Sequence, residues 1–569
     1  MKQQRILPVQ SFSVVTLAIA VLVLAVTAST SVHAQTFSVL HDFLGGNSAD
    51  GCNPTYSGIV AQGRDGNMYG TTENGGAPSF TNNVGTVFQV TPAGALNVIY
   101  SFPSSETEGW LPFSGLTLGT DGNFYGTTYY YGLPENVSYF GSVFQITPGG
   151  SRTYLYKFTG GSDGRYPTAP PILGRDGNWY GTTQGDPGNP GSVYQLTPSG
   201  QFKSLHQFVL GEMPEDPLVL ATDGNFYGTT HYGGTTNNGS VFRITPAGTF
   251  TVIYSFDANH GGAPYSPLIQ GADGNFYGTT TGGGSASGGV VFKLTSAGKI
   301  TVLNNFVQGD TPSVPIAGLV QATDGYLYGT TGQGNSQGGT TSNGTVFRMK
   351  AIPSTPSYLH DFDQYPTGSD PQDTLLQHTN GILYGDTISG GVPNVGCGVF
   401  YSWNQGLKPF VSLLSTSGKV GDHPIGILGQ GFTGTSAVFF NGVSAAFTLD
   451  TTYPDTYLTA TVPSGATKGN VTVVTPTGTL TSNKVFTVVP ALLSFSPTSG
   501  TVGTSVVITG SGLTQASKVT FGGVKATAFI VNSDSQVTAT VPTGAKTGKI
   551  AITTPGGTAT SAKTFTVLP

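Results

Sequence analysis

The stretch DGNFYGTT occurs three times in this chain, starting at residues 121, 223 and 273. Near-copies start at 65 (DGNMYGTT), 176 (DGNWYGTT) and 324 (DGYLYGTT), and a worn NGILYGDT starts at 380. The seven starts are 56, 55, 47, 50, 51 and 56 residues apart. A period near fifty is that of a supersecondary unit that cannot bury its apolar face alone and must stack on its neighbours. The repeat therefore constrains architecture before it says anything about chemistry.

Residues 266–306 show what one unit contains: SPLIQGADGNFYGTTTGGGSASGGVVFKLTSAGKITVLNNF. Four short apolar runs are separated by turn residues. Asp273-Gly274 is a hairpin signal, because both residues tolerate the left-handed backbone that a two-residue turn requires. Four antiparallel strands (A to D) make one propeller blade, and seven copies fall within the usual range. The expected fold is all-β: a seven-bladed β-propeller over 35–405. The tyrosine of each copy (Tyr69, Tyr125, Tyr180, Tyr227, Tyr277, Tyr328 and Tyr384) is expected between neighbouring blades, and the Gly after it where another backbone comes close.

Charge and export narrow the function classes. Charged residues are only 9% of the chain, against about 25% in an ordinary soluble domain. Residues 35–405 carry a balance of −13, and residues from 406 onward +5. An acidic large domain argues against nucleic acid as a partner. MKQQR, the apolar run VVTLAIAVLVLAV (14–26) and SVHAQ read as a secretory signal cleaved after Ala34. The run is short for a membrane span, and nothing later is long enough, so the mature chain is expected to be secreted or on the cell surface.

The motif search finds no catalytic or cofactor constellation. His41, His206 and His360 occupy a slot that other repeats fill with Tyr100, Tyr156, Tyr254 or Asn304, which makes it a strand position and not a metal site. No H-x-H, H-E-x-x-H or D-x-D-x-D-G spacing occurs, and there is no G-x-S-x-G nucleophile elbow, so no metal or cofactor is expected.

The run DGNFYGTT…GSVFRITPAGTFTVIYSF resembles the GloVer-type choice-anchor tandem repeats, over about 370 residues. That resemblance implies an exported β-repeat protein and brings no catalytic residue. Residues 491–569 resemble a TIG (IPT) domain, carried by SGTVG, FGGVKA and TVPTGAKTGKI. The preceding segment aligns as a second copy: FFNGVSAAF with FGGVKATAF, and ATVPSGATKG with ATVPTGAKTG. Two immunoglobulin-like β-sandwiches, at 407–489 and 491–569, are expected.

This alignment leaves the last propeller unit one strand short. FSVLHDF (37–43) is the remaining partner for GCGVFYSW, so the N-terminal strand is expected to close the ring. Cys52 and Cys397, the two cysteines of the chain, then come close enough to pair.

Function is expected where the repeat varies. The A–B and C–D turns are uniform, whereas the D–A and B–C connections differ from copy to copy. They hold all six glutamates, including Glu106 and Glu212, and the aromatics Trp110, Tyr166, Tyr232, Tyr265 and Tyr365. Glu106, Glu108, Glu212 and Glu215 read as solvated loop acids. Flat rings beside carboxylates and amides suit glycans, so the sequence points to a binding or adhesion protein for a glycan or surface polymer, not an enzyme. A structural surface protein without a defined ligand is the alternative, and a secreted polysaccharide-degrading enzyme a less favoured one.

Overall fold

The computed structural model describes residues 35–45, 50–54, 60–76, 84–103, 109–131, 140–186, 188–309, 312–334, 343–393, 395–422 and 424–569. The expected signal segment 1–34, Glu106 and Glu108 lie outside them. Among the described residues every regular element is a strand, and no helix is long and apolar enough to cross a membrane.

Among the described residues seven antiparallel sheets of four or five strands follow one another between residues 36 and 404, with one two-stranded pair besides. The fifth is representative, with strands Ile269–Gln270, Phe276–Thr280, Ser287–Leu294 and Ile300–Val307 paired in chain order. Its first hairpin shows what the repeated octapeptide does. Gly274 takes φ +80° at the turn. Asp273 Oδ1 accepts from Asn275 N (3.1 Å), and its Oδ2 accepts from Asn275 Nδ2 and Tyr277 Oη (2.8 Å each). The aspartate thus closes the turn and satisfies the hydroxyl of a tyrosine that is 1% exposed. Lys293 Nζ also sits 2.7 Å away. Partial burial pushes Asp273 up, but these hydrogen bonds outweigh it and hold the carboxyl below its ordinary range. In the worn seventh copy Asn380 Nδ2 donates to Tyr384 Oη (3.0 Å), preserving the arrangement without the charge.

The tyrosine rings reach into the next sheet: Tyr69 stacks on Phe124, Tyr125 on Trp179, Tyr180 on Phe226, and Tyr227 packs on Phe276, all at 3.9–4.1 Å between centroids. The glycine after each has a different role from the one expected. A Cβ on Gly278 would lie 2.7 Å from Phe292 and 2.9 Å from Leu268, so the close neighbours are side chains and not a backbone.

Successive sheets are latched at the A–B turns. Gln270 Oε1 accepts from Thr222 N, Gln321 from Ala272 N, and Gln377 from Thr323 N, at 2.8–3.0 Å. The same bond, Thr379 N to Gln62 Oε1 at 3.0 Å, joins the seventh sheet to the first. The seventh sheet itself consists of Leu376–Gln377, Leu383–Thr387, Val399–Asn404 and the N-terminal Thr36–Asp42. The last two pair antiparallel from Thr36↔Asn404 to Asp42↔Val399. Cys52 and Cys397 are joined by a disulfide, 345 residues apart in sequence. Beside it Asn53 N donates to Cys397 O at 3.1 Å.

Two further sheet pairs follow. One encloses a core that includes Ile427, Val438, Phe440, Leu458 and Val473. The other encloses Ile508, Val519, Phe521, Ile550 and Phe565. The first pair sits on the A–B turns of the first and seventh sheets. Thr456 Oγ1 donates to Arg64 O (2.6 Å), Gln430 Nε2 donates to Thr379 Oγ1 (3.0 Å), and the Arg64 guanidinium lies 4.4 Å above the Tyr457 ring.

Candidate ligand-binding face

The D–A and B–C connections meet on the side away from these turns. Proline follows a left-handed residue at six sheet junctions: Asn53, Leu111, Tyr166, Ala263, Val314 and Asp370, with φ between 53° and 59°. Such a conformation costs about 1–3 kcal/mol in a residue with a side chain and persists only where its surroundings fix it. They do so here. Tyr166 N donates to Phe140 O and Tyr166 O accepts from Gln184 N, both at 3.0 Å. Val314 is held in the same way by Gly288 O and Gly332 N, at 2.9 Å.

Tyr166 is thereby set face to face with Tyr129, at 4.7 Å and 14°. Tyr129 meets Tyr130 edge-on at 4.7 Å, and Trp110 packs on Tyr130 at 4.9 Å. Phe113 completes the group at 5.0 Å from Tyr129. Trp110 and Tyr130 are held from below by pairing of Gly109–Trp110 with Tyr130–Tyr131. All four of Trp110, Tyr129, Tyr130 and Tyr166 are half-buried. Burial, then the neighbouring Tyr130, Tyr166, Glu215 and Asp186, push the Tyr129 hydroxyl up to about 12, so it stays a hydrogen-bond donor.

The polar rim has two parts. Arg165 pairs with Asp186 and donates to Gly160 O at 2.9 Å. Asp186 also accepts from Gly188 N (2.8 Å) and Asn189 Nδ2 (3.2 Å). Glu215 accepts from Gln184 Nε2, and its Oε2 has no partner and no exposure to solvent. The expectation of a solvated loop acid fails here: Glu215 is 9% exposed, and burial pushes its carboxyl up to about 7. Adjacent Asp216 is 4% exposed and is pushed up to about 8 by burial.

The other candidates stand apart from this patch. Tyr232 and Tyr265 both pack on His231, at 4.3 and 5.0 Å, and form a second, smaller group. Tyr365 is 40% exposed. Glu212 Oε2 accepts from Val209 N at 3.2 Å within its own loop. Sequence reasoning missed Tyr129, Tyr130 and Gln184, and misread Glu215 as a solvated acid. The run TTYYYG at 127–132 was the available signal, since it places three successive aromatics directly after a repeat motif. No group of three or more His, Cys, Asp or Glu able to hold a metal occurs among the described residues.

No curated protein matches the chain. Several solved structures are similar at low identity. A gluconolactonase from Xanthomonas campestris is 12% identical, with 65% of this chain and 99% of that one covered and a TM-score of 0.33. A protein of unknown function from Dyadobacter fermentans is 12% identical over 64% and 98%, with a TM-score of 0.36. A surface glycan-binding protein from Prevotella bryantii is 20% identical over 26% and 38%, with a TM-score of 0.21. Superpositions this loose carry no argument about this chain. The family models are specific: the IPT/TIG domain matches residues 490–567, and the Gloeobacter/Verrucomicrobia repeat matches 25–213 and 141–337. The repeat matches together span more than half of the chain, which belongs to the Gloeobacter/Verrucomicrobia repeat family.

Proposed function

We propose that this chain is an exported, cell-surface binding protein that holds a neutral glycan or similar surface polymer on its D–A/B–C face without turning it over. In this reading residues 1–34 are a signal peptide removed after Ala34, 35–405 are a seven-bladed β-propeller, and 407–489 and 491–569 are immunoglobulin-like sandwiches that act as spacers. The seven latched sheets and the strand supplied by the N-terminus support the propeller.

One observation carries the ligand class: the half-buried rings of Trp110, Tyr130, Tyr129 and Tyr166, set in one group by strained and doubly hydrogen-bonded backbone. Sugar rings present apolar C–H faces to such surfaces and hydroxyls to an amide and carboxylate rim. The opposite side is less available, since the first C-terminal sheet pair rests on it. Binding without catalysis is favoured because the acid with the most suitable proton affinity, Glu215, has its free oxygen walled off from solvent. A general acid must come within hydrogen-bond reach of its substrate.

A glycan array followed by titration calorimetry on the full chain tests this. Trp110→Ala and Tyr130→Ala should each weaken binding of a neutral polysaccharide by up to about tenfold, with the fold intact at the assay temperature. Tyr365→Ala, outside the patch, should leave affinity unchanged. Unchanged affinity in the patch variants, with a lowered melting temperature, would assign these rings to packing alone.

A further inference from the structure

The two C-terminal sheet pairs are copies of one another, so positions where they differ at the same place in the fold mark what one copy does and the other does not. In the TIG domain one sheet runs Ser499–Gly500, Gly557–Val567, Gly548–Thr554, Lys518–Phe521, Val524–Lys525. Its inner residues, Val519, Phe521, Ile550 and Ile552, are fully buried. Its outer face carries Lys518, Lys525 and Lys549, all exposed.

The register fixes their spacing. Lys518 pairs with Thr553, Lys525 pairs with Thr520, itself opposite Ala551, and Lys549 pairs with Thr564. The three lysines thus occupy three successive outward rows, roughly 7 Å apart along the strands. Between and beside them lie threonines, with Thr558, Thr560 and Thr564 exposed.

The preceding sheet pair has none of these charges. Ala437 pairs with Val474 where Lys518 pairs with Thr553. Ser444 pairs with Phe439 where Lys525 pairs with Thr520. Asn470 precedes Val471, the partner of Phe440, as Lys549 precedes Ile550, the partner of Phe521. The fold is therefore built without lysine at all three places. Residues 491–569 contain five lysines and one acid, Asp534. That acid faces the neighbouring sheet pair, from which Ser464 Oγ donates to its Oδ2 at 3.1 Å, while Thr514 Oγ1 of its own domain donates to its Oδ1 at 2.7 Å. Nothing of opposite sign offsets the outer face from within its own domain.

We propose that this lysine–threonine face binds an acidic polysaccharide, with Lys518, Lys525 and Lys549 meeting successive carboxylate-bearing residues of the chain and the threonine hydroxyls meeting its sugar oxygens. The site is separate from the aromatic face and of opposite preference: the repeat region is acidic and favours uncharged ligands there. A polysaccharide fits better than a bilayer because the strands of this sheet carry no exposed large apolar side chain for insertion. Of the exposed apolar residues of the domain, Leu493 and Ile530 belong to strands of its other sheet, Val502 lies outside the strands, and Leu568 stands alone just past the end of Gly557–Val567.

The test uses the full chain and the triple variant Lys518→Ala, Lys525→Ser, Lys549→Asn, which installs the residues its own sister copy already carries. The probe is immobilised polygalacturonate, with dextran, phosphatidylglycerol vesicles and duplex DNA as comparisons. A lysine held against a dense anionic surface is worth about fivefold in affinity, so the triple variant should bind roughly 100-fold more weakly. Its binding should also depend less steeply on salt, and its melting profile should be unchanged. Three outcomes overturn the proposal: no binding of polygalacturonate by the unaltered chain, full binding by the triple variant, or tighter binding to the vesicles or the DNA than to polygalacturonate.

Discussion

Replacing Asp216 by serine should make the repeat region more stable at alkaline pH while leaving it nearly unchanged in mild acid. Asp216 stands just before the first strand of the fourth sheet, where the second and fifth sheets carry Ser114 and Ser266. Those hydroxyls bond Thr127 (3.0 Å) and Thr279 (2.7 Å), and Asp216 Oδ2 accepts from Thr229 Oγ1 at 2.9 Å. The serine already sits before Pro267-Leu268 in the fifth sheet, as Asp216 sits before Pro217-Leu218. Burial raises Asp216 from 3.8 to about 8, with the neighbouring Glu215 adding to the rise against the bonds from Thr229 and Ser266. The folded state therefore keeps a proton that the unfolded chain releases near 3.8. Between those values the folded state binds more protons, so stability falls as pH rises; the contribution is fully present below 3.8 and gone above about 8. At about 1.4 kcal/mol per pH unit the loss has a ceiling of roughly 6 kcal/mol. In a unit of about 370 residues that corresponds to roughly 8 °C in melting temperature. Calorimetry of the two proteins at intervals from about pH 4 to pH 9 should give curves that lie closest at the acid end and diverge upward. Parallel curves across that range would show that Asp216 does not carry a retained proton, and Asp216→Asn, an uncharged isostere, would then also track the unaltered protein.

The disulfide spans 345 residues, for which loop entropy sets a ceiling near 6 kcal/mol and measured cases lie at about 2–4. Joint Cys52→Ser and Cys397→Ser should therefore lower the melting temperature of the repeat region by about 3–5 °C, and non-reducing peptide mapping of the unaltered chain should give one linked pair. Deleting 35–45 removes the outer strand of the seventh sheet, and should destabilise the repeat region far more than deleting 491–569; equal effects would mean that the ring does not depend on its N-terminal strand.

The sequence is most readable where one constraint is stated seven times. Asp-Gly at the turn, tyrosine four residues after the aspartate and glycine after the tyrosine each answer a local requirement, so the repeat announces its hairpins and its buried ring. The role of the glycine is less readable, because the Phe292 and Leu268 atoms that exclude a Cβ at Gly278 come from a neighbouring strand and the loop before. Glu215 misleads for a similar reason. Its neighbours in sequence are loop residues, Pro214 and Asp216, but what buries it comes from the previous sheet, where Gln184 meets its carboxyl and Thr168 Oγ1 donates to its backbone oxygen at 2.8 Å. The docking of the first C-terminal sheet pair on the A–B turns is invisible for the opposite reason. Arg64 and Thr379 occupy turn positions where the same residues recur without docking, as Arg175 and as Thr120, Thr222 and Thr323, and only contact with Thr456, Tyr457 and Gln430 distinguishes them.

The six left-handed residues before proline explain how a repetitive frame can carry a variable face. Glycine alone reaches that backbone region without strain, yet none of the six is glycine; they are Asn53, Leu111, Tyr166, Ala263, Val314 and Asp370. Val314 is β-branched, among the least suited side chains for a positive φ. A position chosen for ease of turning would not look like this. At Leu111, Tyr166, Ala263, Val314 and Asp370 two backbone hydrogen bonds tie the junction to the sheets on either side, and at Asn53 its N–H bonds Cys397 O, so the geometry holds whichever side chain is present. Side-chain identity is then free to serve the surface. At Tyr166 it places a ring against Tyr129, and at Asn53 its Nδ2 donates to Ile388 O at 3.0 Å beside the disulfide. Fixed posts with interchangeable side chains let the residues of this face vary without disturbing the strands beneath it, and that separation is what the proposed binding role would require of a rigid scaffold.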